Sequence, residues 1–258
     1  MTRPAGAPLT RAELYGDGEP CVDDPAELFH EASKLYPSLA RRQASGIVRL
    51  EGNETLRAAA AHSVRRNDQR PRAALPRPRR PRCTLWDAID RRRSRRAFAG
   101  ALDATSLATI LDAAYGVRDE RRRTVPSGGG LYPLELYVVL RGGGVHRYDP
   151  ELHALEEHDL GDPWPALVLS SPIPSLLDDA SAAILVLGVF GRTRFKYGQR
   201  GYRFALLEAG HVGQNVVLAA AALDVVALPF GGYYDARLDE LVGADGVEES
   251  VVYAVVLG

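Results

Sequence analysis

The sequence predicts an α+β fold in which helices flank a mixed or antiparallel sheet. Apolar segments with the character of strands alternate with amphipathic helical segments along the chain. The segment LELYVVLR, the glycines at 142–144 and VHRYDP form the pattern of a β-hairpin, which excludes a purely parallel sheet. A length of 258 residues and a hydrophobic content of 46% are sufficient for a sizeable core.

The other elements are predicted from local patterns. A helix is expected to begin at Pro25 after an Asp24 cap, and SLATILDAAYG predicts an amphipathic helix that ends at Gly116. TLWDAIDRRRSRRAF predicts a helix that leads into an arginine cluster. AAILVLGVF and ESVVYAVVLG are typical of strands, and residues 202–222 predict a long helix that is apolar nearly all round.

Three regions follow from these patterns. Residues 1–69 are expected to form a helical N-terminal extension, and residues 83–258 the main domain. Between them, residues 70–82 (RPRAALPRPRRPR) contain prolines that exclude a helix and arginines that exclude a core position. This segment is predicted to be a linker or an extended surface strap.

Positive charge is concentrated in one part of the chain. Between Arg65 and Arg96 there are 13 arginines and three acidic residues, although the whole chain carries a net charge of −1. The arginines either bind an anion or form a solvated, mobile segment. Nucleic-acid binding is not expected, because neither interleaved aromatic residues nor a reader motif accompanies the run.

Several other classes of protein are not supported. Cys21 and Cys83 are far apart and form neither a disulfide framework nor a zinc motif, and no metal site is expected. There is no apolar signal-peptide core, and the apolar stretches are too short to span a bilayer, so a cytoplasmic protein without membrane contacts is expected. The motifs GxGxxG, GxxxxGK[ST], HExxH and GxSxG are absent from the expected contexts.

Four segments contain residues that could carry chemistry. The run RRSRRAF at 92–98 could bind phosphate oxygens, although alone it is more typical of a solvated basic face. The glycines of PSGGGLYP at 126–133 could approach a flat ligand or belong to a flexible loop. PFGGY at 229–233 could present backbone amides or be a simple turn, and FKYG at 195–198 supplies an amine and a phenol.

In this order, and together with EAGHVGQN, these segments resemble the nitroreductase superfamily. More narrowly, the chain is similar to the SagB/ThcOx-type azoline dehydrogenases, closely over about residues 83–258 and also in the FHEASK stretch. The resemblance implies an FMN-dependent, nitroreductase-like fold and an intertwined homodimer with two FMN molecules at its interface. It also implies that the helix at 202–222 is the central dimer helix.

The resemblance assigns the flavin contacts. They are expected at Arg92, Arg93, Ser94, Arg96, Pro126, Ser127, Gly128, Gly129, Leu131, Phe230, Gly231 and Gly232. Arg92, Ser94 and Arg96 would hold the phosphate and pyrimidine side, and an amide of Gly231 or Gly232 would face flavin N5. The loop at 126–131 would come from the partner subunit.

Many nitroreductases complete the phosphate site with basic C-terminal residues, which the final VVLG of this chain does not contain. The phosphate is therefore expected to rely on the arginine cluster, together with the strap. Within EAGHVGQN, Glu208, His211, Gln214 and Asn215 share helical spacing and are expected to be buried hydrogen-bonding partners that fix the dimer, rather than catalytic residues.

The resemblance also implies a reaction. Lys196 and Tyr197 match the pair associated with oxidation of a thiazoline or oxazoline to an azole. Lys196, desolvated near the flavin, would act as general base, and Tyr197 would orient it or relay the proton, while FMN accepts the hydride and is reoxidised by O2. The substrate would be a peptide or a carrier-bound azoline, and a biosynthetic enzyme is a possible partner.

Two alternatives stay open. The chain could be an NAD(P)H-dependent flavin reductase or small-molecule oxidoreductase on the same fold, since fold does not determine function. It could also be a non-catalytic partner in a biosynthetic complex, with the N-terminal extension and the arginine strap as docking surfaces.

Overall fold

A seven-stranded antiparallel sheet forms the centre of the protein. The computed structural model describes residues 24–37, 46–48, 52–55, 69–98, 100–119 and 122–258. Much of the predicted N-terminal extension, including Cys21, lies outside the described residues. The order of the strands in the sheet is β1-β6-β5-β4-β7-β9-β8, and every neighbouring pair is antiparallel.

The strands are numbered along the chain. They are β1 (Arg72–Ala74), β2 (Val117–Asp119), β3 (Arg122–Arg123), β4 (Leu134–Leu140), β5 (Gly144–Asp149), β6 (Ala154–Asp159), β7 (Ala182–Val189), β8 (Ala227–Phe230) and β9 (Glu249–Leu257). Strands β2 and β3 pair with each other in a separate two-stranded ribbon.

Seven α-helices surround the sheet in the described residues for which bounds are given. They are α1 (Pro25–Ala32), α2 (Leu85–Arg91), α3 (Ala104–Tyr115), α4 (Trp164–Leu169), α5 (Gly191–Tyr197), α6 (Arg200–Ala222) and α7 (Asp235–Val242), with 3₁₀ turns at Gly128–Gly130 and Pro174–Leu177. No helix in this part of the chain is both long enough and apolar enough to cross a membrane.

The central strands are buried on both faces. On one face, Leu136 and Ile184 pack with α3 and α6. On the other face, Tyr137 and Leu185 pack with α4 and α7. This double burial explains why β4 and β7 are nearly continuous apolar runs rather than alternating ones.

The predicted capping residues stand where the sequence places them. The Asp24 carboxylate accepts a hydrogen bond from the Ala26 amide at the start of α1, and Pro25 is the first helical residue. Helix α3 ends at Tyr115 with Gly116 as its C-cap, and β4 and β5 form the predicted hairpin. The sheet is antiparallel throughout, which resolves the predicted choice between mixed and antiparallel.

The proline- and arginine-rich segment lies along the edge of the sheet. Its residues Arg72–Ala74 form β1 against β6, and the amide of Arg79 donates to Thr109 Oγ1 on α3 at 2.8 Å. The Arg72 guanidinium pairs with Glu156 at 3.1 Å. This arrangement has the form of the extended surface strap, because residues on both sides of Leu75 are hydrogen-bonded to the main domain.

Candidate active site

The arginine run and the PFGGY turn lie together. Residues 92–98 follow α2 in an extended conformation, and the amide of Arg95 donates to the Ala227 carbonyl of β8 at 3.4 Å. Arg96, Phe230, Gly231 and Gly232 line one cavity of about 180 Å³, whose opposite wall includes Ser171 and Ile173. We call this group the arginine–glycine half-site.

Within this half-site the arginines are available to bind a ligand. No described residue forms an ion pair with Arg92, Arg93, Arg95 or Arg96, and all but Arg92 are exposed. A Cβ built on Gly231 or Gly232 would meet no atom within 4 Å, so both glycines leave open space above the backbone. Phe230 also lines this cavity, although most of its side chain is buried in the core.

The other two predicted segments form a second group, which we call the lysine–glycine half-site. Gly129 has a φ of 68°, and a Cβ added there would lie 2.5 Å from Tyr197 Oη and 2.9 Å from Lys196 Nζ. The ring of Phe204 packs against Gly128 and makes an edge contact with Tyr197 at 4.9 Å. The glycine loop and the Lys-Tyr pair therefore form one packed unit at the start of α6.

The remaining predicted loop residues differ in exposure. Pro126 is exposed and Ser127 is half-buried. Leu131 and Tyr132 are buried in the core, where Tyr132 makes an edge contact with Tyr115. These two side chains anchor the loop in the core, and the flavin contact at Leu131 stays a prediction.

Arg192 attaches the helix that bears Lys196 to the sheet. Its guanidinium donates to Glu135 Oε1 at 2.5 Å and to the Tyr132 carbonyl at 3.4 Å. Glu135 also pairs with the buried Arg147, which in turn pairs with Glu156 at 3.0 Å. Arg192 and Phe204 could not be predicted from the sequence, because neither belongs to a motif and Arg192 meets a carboxylate 57 positions away.

The EAGHVGQN residues divide between the interior and the surface of this protomer. Glu208 is buried and Asn215 donates to the carbonyls of Ala113 and Thr124, so both are bonded within the protomer, and their role in fixing a dimer stays a prediction. His211 and Gln214 are exposed on α6 in the single protomer.

The two half-sites do not share the cavity at Gly231. Within the described residues, no residue of the lysine–glycine half-site lines the cavity at Gly231. Sites for cofactors and drug-sized ligands are typically about 300–1,000 Å³. A cavity of about 180 Å³ is below this range and does not enclose a flavin by itself.

The sequence profile of the nitroreductase family matches residues 89–258. The chain belongs to this family. The match begins within α2 and includes both half-sites and the whole sheet except β1. The family consists of flavin-binding oxidoreductases, so the chain is an oxidoreductase.

Among curated relatives, MJ1384 of Methanocaldococcus jannaschii, which carries a provisional nitroreductase name, is 36% identical over 168 residues, covering 61% of this chain and 83% of that protein. The microcin B17-processing protein McbC of Escherichia coli is 31% identical over 48% of this chain and 49% of its own length. The trifolitoxin-processing protein TfxB of Rhizobium leguminosarum bv. trifolii is 30% identical over 42% of this chain, but the match spans only 32% of TfxB.

Solved structures show the same fold. A chain of the E. coli microcin synthetase McbBCD complex, solved with truncated pro-MccB17, superimposes with a TM-score of 0.58 at 23% identity, covering 91% of this chain and 93% of that one. A nitroreductase-fold protein of Desulfovibrio desulfuricans in complex with FMN superimposes with a TM-score of 0.51 at 22% identity, covering 67% and 84%.

The residues of the arginine–glycine half-site fit the chemistry of a flavin nucleotide. Guanidinium groups pair with phosphate oxygens, and no ion pair to Arg92, Arg93, Arg95 or Arg96 is formed among the described residues. The open backbone at Gly231 and Gly232 allows a planar ring to approach an amide. The donor set and the open space therefore agree with a family cofactor of this kind.

Proposed function

We propose that the protein is an FMN-dependent dehydrogenase that oxidises azoline rings to azoles in the biosynthesis of peptide natural products. The observation that carries the proposal is the packing of Lys196 and Tyr197 against Gly129, which puts an amine and a phenol on one face of the glycine loop. The names of the relatives McbC and TfxB, which process microcin B17 and trifolitoxin, support a peptide-modifying reaction. The FMN-bound neighbour supports the identity of the cofactor.

The residue type at position 196 supports a role in proton transfer. The chain has 32 basic residues of the Lys and Arg types, and Lys34 and Lys196 are the lysines among them. Arginine stays protonated in proteins, whereas a lysine amine can lose its proton when it is buried. A lysine at position 196 is therefore chemically distinct from the arginines that surround it on α5.

Aromatisation of an azoline removes one proton and one hydride from the ring. When bound, FMN supplies the acceptor for the hydride. Lys196 Nζ would accept the proton, and the Tyr197 hydroxyl would orient the amine or pass the proton on. The amide of Gly231 or Gly232 would donate to the cofactor, and the arginine run would hold its phosphate.

We also propose that the working enzyme is a homodimer in which each site combines the arginine–glycine half-site of one protomer with the lysine–glycine half-site of its partner. The outward face of α6 supports this arrangement. Leu207 is 61% exposed there and Leu206 40%, and a Cβ on Gly210 would meet nothing within 4 Å. Small and apolar residues on one helix face permit close helix packing.

The experiment that tests the function compares variants at the two lysines. Purified protein should release about one FMN per chain and convert a peptide azoline to an azole. Lys196→Ala and Lys196→Arg should both retain FMN and lose at least about 100-fold in azole formation, since general base catalysis contributes roughly 10²–10⁴-fold. Arginine keeps the charge but cannot give up its proton, so its failure separates proton transfer from electrostatics.

Lys34→Ala is the matched control, because Lys34 is exposed on the segment after α1 and pairs with Glu31. It should form azole at the wild-type rate. Azole formation that survives in Lys196→Arg with FMN bound would exclude the role of Lys196 as base. A protein that neither contains nor takes up FMN would exclude the enzyme function altogether.

A flavin reductase activity is the second candidate. The 36% identity to MJ1384, whose provisional name is that of a nitroreductase, favours it. The two candidates differ in the electron donor. Rapid bleaching of the bound flavin by NADH or NADPH, without bleaching by a peptide azoline, would support the reductase.

A further inference from the structure

Glu208 is a buried carboxyl group directly beneath the glycine loop. It lies on the inner face of α6, and the residue is 2% exposed. Four groups face it from four different segments: Tyr115 on α3, Ser127 of the loop, Arg123 on β3 and Arg192 on α5. The azoline mechanism above does not use this residue.

The two carboxyl oxygens have different surroundings. Oε1 accepts a hydrogen bond from the Tyr115 hydroxyl at 2.8 Å. Oε2 is buried and accepts no hydrogen bond from a described residue. The Ser127 hydroxyl is nevertheless near enough to lower the pKa of the carboxyl. Burial has the larger effect and raises the pKa of Glu208 to about 7.

The same groups determine the shape of the loop. Ser127 Oγ accepts a hydrogen bond from the Tyr132 amide at 2.9 Å, which spans the glycine turn. The Tyr115 hydroxyl accepts one from the Leu134 amide at 3.3 Å, just beyond the turn. Glu208 thus contacts the two side chains that fix the ends of the loop.

We propose that Glu208 is a positioning residue whose ionised carboxylate orients the Ser127 hydroxyl and thereby holds the glycine loop in its flavin-facing shape. The inference rests on the proposed function, because it assumes that the loop contacts FMN. A carboxylate can only accept hydrogen bonds, so a Ser127 hydroxyl that turns toward it does so as the donor. The acceptor side of Oγ then points to the Tyr132 amide.

Protonation removes this constraint. A neutral carboxyl carries its own donor, and the Ser127 hydroxyl can rotate away from the geometry that the Tyr132 amide requires. The positive charges of Arg123 and Arg192 oppose protonation, but burial outweighs them. The loop should therefore be held more tightly above neutral pH than below it.

The test is the FMN dissociation constant of Glu208→Gln relative to wild type, measured by flavin fluorescence across the neutral range. Glutamine has the same shape and cannot ionise, so it mimics the protonated acid. The ratio of the two constants should rise from near 1 at about pH 6 to roughly 3–10 at about pH 8, the size of one charge-assisted hydrogen bond. Taking the ratio cancels the titration of the FMN phosphate, whose second pKa is about 6.

Two further variants separate positioning from general destabilisation. In a Ser127→Ala background, Glu208→Gln should have no additional pH-dependent effect, because the hydroxyl that it orients is gone. Asp239→Asn is the control, since Asp239 is also a buried carboxylate but accepts from the Val251 amide, away from the loop. Its ratio to wild type should not depend on pH.

Hydrogen–deuterium exchange on the flavin-free protein gives a readout that does not depend on FMN. The amides of the loop at 127–132 should exchange faster in Glu208→Gln than in wild type at about pH 8, and equally at about pH 6. Equal exchange at both pH values, or an FMN ratio that is flat with pH, overturns the role of Glu208. If the wild type oxidises azolines, such a result leaves the proposed function in place.

Discussion

Gly129 is the residue at which the backbone and the proposed chemistry are most closely joined. Its φ of 68° lies in the left-handed region, and its missing side chain leaves the space that Lys196 Nζ and Tyr197 Oη occupy. Gly130 has almost the same φ, 66°, but a Cβ there would meet nothing within 4 Å. A comparison of the two glycines therefore separates the effect of backbone strain from the effect of contact with Lys196 and Tyr197.

Gly129→Ala should lose azole formation, and Gly130→Ala should retain it. Both substitutions place a Cβ at a positive φ, so each should cost about 1–2 kcal/mol of stability, measured by denaturant unfolding. At Gly129 alone the new methyl displaces the amine and the phenol, and a shift of about 1 Å in a reacting group can cost on the order of 100-fold in rate. Equal rates in the two variants would contradict the proposed contact.

At this scale the sequence indicates residue types better than residue contacts. The arginine run, the glycine loop and the Lys-Tyr pair are visible as motifs, and the structure brings them together in two groups. Phe204 and Arg192 could not be predicted, because their partners are distant along the chain and an aromatic or a basic residue on a helix carries no motif. Phe230 lines the cavity while most of its side chain is buried, so its contact with the flavin stays a prediction.

At the scale of elements, α1 is attached to the helix on which the lysine–glycine half-site rests. Arg203 of α6 donates from Nε to Ser33 Oγ at 2.6 Å and from Nη2 to the His30 carbonyl at 2.5 Å. Phe29 makes an edge contact with Tyr202 at 5.3 Å. Helix α1 and the residue that follows it, Ser33, are therefore docked on the first turns of α6.

Arg203→Met should release α1 without unfolding the main domain. Methionine keeps much of the side-chain bulk but removes the two hydrogen bonds, each worth about 1 kcal/mol. Limited proteolysis should then cleave between residues 24 and 37 faster than in wild type, while thermal unfolding of the remainder stays unchanged. Arg194→Met on α5 is the control, since the Arg194 guanidinium has no partner among the described residues, and its cleavage rate should equal that of wild type.

In the main sheet, the sequence did not predict the two edge strands, β1 and β8, or β6, which lies next to β1. β8 contains Pro229, which an edge strand tolerates because its backbone nitrogen needs no partner. β1 has three residues, and it lies in a segment whose prolines argue against regular structure. β6 is rich in acidic residues, one of which, Glu156, is buried opposite Arg72 and Arg147, so its sequence does not show the apolar pattern of a buried strand. Local patterns cannot identify pairing that depends on a distant strand.

At the scale of the whole molecule, the two half-sites lie in different places on the protomer. The arginine–glycine half-site opens beside β8, whereas the lysine–glycine half-site rests on the first turns of α6. The exposed Leu206 and Leu207 lie on that same helix. The sequence could indicate a dimer only through the family resemblance, because periodicity reports which face is apolar and not what covers it.

Mixed dimers test whether each site is shared between protomers. Lys196→Ala removes the base from one half-site. Gly231→Val blocks the other half-site, and it should fold because a Cβ at Gly231 meets nothing within 4 Å. Each homodimer should be inactive. In a heterodimer isolated with two affinity tags, the unblocked Gly231 of one chain faces the intact Lys196 of its partner, so one of the two sites is complete.

The heterodimer should therefore form azole at about half the wild-type rate per dimer, as expected for one working site of two in a twofold assembly. If each site were built within a single protomer, one site would lack the lysine and the other would be blocked, so the heterodimer would be as inactive as its parents. Activity in the heterodimer requires the shared site, since neither chain carries both intact half-sites. An inactive heterodimer that binds FMN at its unblocked site would show instead that Lys196 acts on the flavin of its own chain.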